Sequence, residues 1–187
     1  MATQYKGMGY LQSKLDKKRT RAAIRYLFYD MKILTRDLNI STPPGLTHFM
    51  PVLGWCGKAV DSVADRITFR EWRNDPFDFA GIYAANNPDV FYDQAVTGAL
   101  IGACSFIYIS PDDDGFPRLQ VLDCRNAIGV IDPITQLLRE GYAVLERDDV
   151  GAPSTEAYFL PYKTEYYRGS KRIQTVNTLC PIRCWCR

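Results

Sequence analysis

The chain has 187 residues, of which 47% are apolar and 24% charged, with a net charge of +2. That is enough for one domain with a real core and hardly enough for two. No run of about 18 apolar residues would cross a membrane as a helix, and the N-terminus has no apolar segment of the secretory kind, so a cytosolic setting with reduced thiols is expected.

The small net charge hides segregation. Residues 1–42 carry nine Lys/Arg against three Asp, whereas residues 76–151 carry four Arg against twelve acids. Such a split can steer association with another copy or a polyanion. It also fits a solvated basic helix followed by acidic turns.

Ile24, Leu27, Phe28, Met31, Leu34 and Leu38 recur at helical spacing, which predicts an amphipathic helix over 13–38. The run NISTPPG (39–45) ends it, because two prolines cannot continue a helix. Pro51 opens a second helix with a stripe of Leu53, Gly57, Val60, Val63, Ala64 and Ile67, and Asp61 and Asp65 lie off that stripe. Asp75-Pro76 caps FDFAGIYAA, and Asn87-Pro88-Asp89 caps VFYDQAVTGALIGA.

The period then changes to that of strands. Phe106–Ile109 and Leu119–Leu122 flank the acidic turn PDDDGFP, forming a hairpin. Further strands are expected at Ala127–Ile131, Leu137–Glu146, Glu156–Leu160 and Arg172–Val176, with turns at Asp132-Pro133, Asp148–Pro153 and Arg168-Gly169-Ser170. Helices first and a meander second predict an α+β fold, N-terminal helices packed on an antiparallel sheet. No internal repeat stands out. One domain is expected over 1–176, followed by a tail over 177–187 that is expected to be irregular, as a truncated or frame-shifted end would be.

Candidate chemistry is sparse, and no catalytic residue, metal site or cofactor site is assigned. The single histidine, His48, sits at a loop or helix entry, so no Ser-His-Asp, Cys-His or His-rich metal set is expected. Cys180, Cys184 and Cys186 could join Cys56, Cys104 or Cys124 around zinc, but the CxxxCxC spacing is not the usual CxxC pair, and a reduced tail explains them equally. Asp112, Asp113 and Asp114 lack the alternation of a calcium loop and read as a solvated turn. Gly98 and Gly102 form a small-xxx-small pair suited to close packing of the helix on the following sheet. The run Tyr162–Arg168 with Lys171 and Arg172 mixes aromatics and bases; it suits either a nucleic-acid strip or an exposed hairpin with cross-strand aromatic pairs. With the basic first helix it gives the alternative reading, a small nucleic-acid-binding module.

Three segments, Gly57–Trp72, Val90–Thr135 and Ala157–Gly169, together resemble tailed-bacteriophage portal proteins of the siphophage head–tail connector type. The resemblance lies in their order: an early helix with a Val-Asp stretch, then a helix carrying Gly98 and Gly102 before Ser105 and an acidic hairpin. A strand ending in Asp132-Pro133 follows, and then a Tyr-rich segment from Tyr158 to Tyr167. It covers roughly 10–176. It implies a structural, non-enzymatic virion component without cofactors, found in the host cytoplasm during assembly. Full-length members form a ring through which double-stranded DNA is packaged and ejected, and they contact terminase, scaffold and head-completion proteins. Such members are much longer, so this chain corresponds to the N-terminal wing portion.

Overall fold

A computed structural model describes residues 5–32, 54–112, 114–169 and 171–177. Among these residues four helices precede seven strands: α1 (Met8–Tyr29), α2 (Trp55–Ala64), α3 (Phe79–Ala85), α4 (Pro88–Gly102), β1 (Ser105–Pro111), β2 (Pro117–Asp123), β3 (Ala127–Ile131), β4 (Leu138–Arg147), β5 (Pro153–Leu160), β6 (Lys163–Arg168) and β7 (Lys171–Asn177). The fold is α+β. β1 and β2 form an antiparallel ribbon, and β3 to β7 form a five-stranded antiparallel meander in chain order.

The meander has a layer on each face. On one, Leu11 and Leu15 of α1 pack against Ile128, Tyr142, Val144 and Tyr158. On the other, Leu122, Phe106 and Tyr108 of the ribbon pack against Ala127, Ala143 and Phe159. Alternation along β4 explains the split, since successive side chains of a strand point to opposite faces. Leu11 is fully buried.

The first helix departs from expectation at both ends. It starts five residues early, and its buried residues are Leu11, Leu15 and Ala22. Ile24, Leu27, Phe28 and Met31, expected in the core, are exposed by 39–49%; Leu34 and Leu38 lie outside the described residues, as does the 39–45 terminator. The helix closes before them in a Schellman motif. Met31 takes a left-handed φ of 56°, Lys32 N donates to Leu27 O at 2.8 Å and Met31 N to Phe28 O at 3.3 Å.

In α2 only Gly57 is buried; Val60 and Ala64 are half-buried, Val63 and Ile67 are exposed, and Pro51 and Leu53 lie outside the described residues. The expected apolar stripe is therefore largely uncovered, because α2 meets its neighbours through Gly57, packed against the Tyr29 carbonyl. Asp61 accepts a hydrogen bond from the Tyr29 hydroxyl at 2.9 Å. Two acids cap α3: Asp75 accepts from Phe79 N and Ala80 N, both at 2.7 Å, and Asp78 accepts from Gly81 N at 3.2 Å. Asn87 holds the N-cap position of α4, but its side chain makes no capping bond; Pro88 supplies the pre-set backbone instead. Between α2 and α3, Phe69 and Trp72 stack among Phe79, Tyr83 and Tyr92 with ring centroids 4.9–6.1 Å apart, a satellite aromatic cluster that pins this irregular segment to the helices.

Candidate interaction site

Three carboxylates lie inside the sheet layer, and sequence reading placed the acids mostly in turns. Glu140, Glu156 and Glu165 are 1%, 6% and 7% exposed. They sit on adjacent strands, each two residues before a tyrosine: Glu140-Gly-Tyr142, Glu156-Ala-Tyr158 and Glu165-Tyr-Tyr167. Period-two alternation puts each Glu and its Tyr on the face that meets α1. The register sets Tyr142 opposite Tyr158, Glu156 opposite Tyr167 and Tyr158 opposite Glu165.

The acceptors are all engaged. The Tyr158 hydroxyl donates to Glu140 at 2.9 Å, the Tyr142 hydroxyl donates to Glu156, and the Tyr167 hydroxyl donates to Glu165 at 2.8 Å. Glu140 also accepts from Lys6 N at 3.0 Å and Gly7 N at 3.1 Å. It thereby meets the amides that lead into α1, that of its N-cap Gly7, at φ 87°, among them. Gln12 of α1 donates to Glu156 at 3.2 Å. The network stitches the first helix to the middle of the sheet.

Burial raises the phenol pKa values here. Desolvation, then the hydrogen bond to its glutamate, pushes Tyr142 and Tyr158 far above the ordinary value. Desolvation and the Tyr166 hydroxyl do the same to Tyr108, and desolvation followed by Asp123 pushes Tyr26 up to about 12. A phenol whose pKa is raised on folding contributes stability that is present below its unfolded value of 10.0 and lost as pH rises through the folded value. An alkaline titration followed by tyrosinate absorbance and circular dichroism should therefore show two phases. Exposed phenols ionise first, and these four ionise together with loss of the fold above about pH 10. All twelve tyrosines titrating in one phase with the fold intact would contradict this packing.

The remaining expectations fall as follows. The β1–β2 tip is a hairpin turn: Gly115 N donates to Asp112 O at 2.8 Å, and Asp112 pairs with Arg118 at 2.8 Å; Asp113 lies outside the described residues. Among the described residues no group of His, Cys, Asp and Glu is placed to hold a metal ion. His48, Cys180, Cys184 and Cys186 lie outside them, as does Ser170. Cys56 is exposed, and Cys104 and Cys124 are half-buried. Gly102 packs as expected, since a Cβ there would collide with Cys124 Sγ, while one at Gly98 would rest 3.8 Å from Ser105.

The Tyr/Arg/Lys hairpin differs from an exposed strip. Tyr166 and Tyr167 are half-buried, and the Tyr166 hydroxyl meets that of Tyr108 at 2.9 Å. No aromatic pair spans β6 and β7: Tyr166 faces Gln174 and Tyr167 faces Arg172. Glu165 takes up two of the bases, Lys163 at 2.5 Å and Arg172 at 3.3 Å. Those contacts, first Lys163 and then the Tyr167 hydroxyl, hold its carboxyl below the usual glutamate value.

Two surfaces remain. One is the exposed apolar face of α1 formed by Ile24, Leu27 and Phe28, beyond which Met31 turns onto Gly54 at the start of α2. The other is a cleft of about 600 Å³ with Lys17, Lys18, Arg21 and Arg25 of α1 on one wall and β3 at its floor. Compared with known protein families and with curated proteins, the chain matches none.

Proposed function

We propose that this chain is a structural component of a virus particle, a wing-like portion of a tailed-phage portal, working through its surfaces rather than through catalysis. The observation that carries the assembly reading is the exposed face of α1. Three large apolar side chains at 24, 27 and 28 lie on one face of α1, each exposed by 39% or more. Contiguous exposed apolar surface of this kind marks an interface with another protein.

The choice of a portal among assembly proteins rests on the order of segments. A glycine-bearing helix (α4) is followed by an acidic hairpin (β1–β2), then by β3 leading into the Asp132-Pro133 turn, then by a Tyr-rich pair (β5–β6). In this reading the Glu–Tyr network keeps the wing stiff, and partners such as a second copy, scaffold or terminase meet its outside. Full-length members would complete the ring around double-stranded DNA. The test is self-association of the intact chain, by light scattering and negative-stain imaging. Assemblies of several copies support the reading, and a chain monomeric at every concentration removes it.

A further inference from the structure

The cleft beside α1 is bounded by a strand edge. β3 pairs with β4 on one side and, among the described residues, with no strand on the other. The phase of the ladder fixes which groups face outward. Val144 N donates to Asn126 O at 2.8 Å, and the register sets Ala127 opposite Ala143 and Gly129 opposite Gly141. Asn126–Val144 is thus a hydrogen-bonded pair, and alternation makes Ile128–Tyr142 and Val130–Glu140 the next two. The N–H and C=O of Ala127 and Gly129 therefore point away from β4, and both residues line the cleft.

The walls have a definite character. Leu15, Ala22, Phe106 and Ile128 give apolar surface, and Lys17, Lys18, Arg21 and Arg25 stand exposed along α1. Arg25 donates to Gly102 O at 3.4 Å, tying α1 to the end of α4. Lys17, Lys18 and Arg21 make no ion pair among the described residues.

We propose that this edge binds an extended, acidic segment of a protein partner, which adds as a strand beside β3. Strand addition uses main-chain donors and acceptors repeating every second residue, and it lets alternate side chains face opposite walls. Here one set would meet the apolar surface and the other the four bases. A nucleic-acid backbone fits less well, because phosphates only accept hydrogen bonds and would leave the outward carbonyls unmatched. The inference is independent of the portal reading.

The test uses the intact chain and a dye-labelled peptide of about eight residues alternating valine and glutamate, a length within the ordinary range of strands. Binding is read by fluorescence anisotropy. The peptide is expected to bind, and Lys17→Glu with Lys18→Glu, both solvent-exposed, should weaken it about tenfold while circular dichroism is unchanged. Versions N-methylated at alternate residues keep the charge; the phase whose methyls replace the N–H groups facing β3 cannot form the ladder and should lose binding, while the other phase should keep it. Equal binding of the parent and both N-methylated peptides would overturn strand addition. Tighter binding of a single-stranded oligonucleotide of equal charge, or no binding of any probe, would overturn the proposal as well.

Discussion

Replacing Glu140 by leucine is expected to lower the unfolding free energy by about 3 kcal/mol, the range seen when one partner of a buried charged network is removed. The carboxylate is 1% exposed and accepts from three donors: Lys6 N, Gly7 N and the Tyr158 hydroxyl. Leucine fills similar volume, so the loss comes from orphaned donors rather than from a cavity. The buried phenol loses its carboxylate acceptor, and the Lys6 and Gly7 amides that lead into α1 lose theirs. For a chain of this size the midpoint of thermal unfolding should fall by roughly 6–12 °C. Glu165→Gln is the contrasting case. Its bases, Lys163 and Arg172, are half-exposed, so the expected loss stays below about 1 kcal/mol. A leucine variant at 140 as stable as the parent would mean that α1 does not depend on this cap.

The second large effect is at the α4–β2 junction. A methyl group at Gly102 would collide with Cys124 Sγ and sit 3.2 Å from Cys124 Cβ. Gly102→Ala should therefore cost about 2 kcal/mol through overpacking, although alanine is the better helix former by nearly 1 kcal/mol. Cys124→Ala removes the opposing sulfur, so the double variant should recover most of that loss. Chemical denaturation of the four-member cycle measures the coupling. Additive losses would show that the glycine serves another purpose.

The sequence was informative where the determinant is local. Alternation and turn chemistry predict β3 residue for residue, and β4 to within one residue at each end. Of the Gly98–Gly102 pair expected to pack closely, Gly102 does so against Cys124, while Gly98 leaves room for an ordinary side-chain contact. The start of α1 was not legible: its cap comes from a strand more than 130 residues away. Helical periodicity in 24–31 showed that an apolar face exists, but periodicity cannot say whether anything covers it. The Glu–Tyr network did leave a signal. Glu-x-Tyr recurs on three neighbouring strands, but only two positions of three repeat, and the acids look like surface residues until the strands are laid in register.

In the proposed role the chain acts through its surfaces as an assembly component. That role is tested most directly by the solution mass of the intact chain across a concentration series, with and without Leu27→Glu and Phe28→Glu. Both residues are exposed, by 39% and 46%, so the variants should keep the parent circular dichroism spectrum. The prediction is a parent mass of several copies that falls to that of one copy in the double variant. A parent that stays at the monomer mass of 21.3 kDa at every concentration would contradict it.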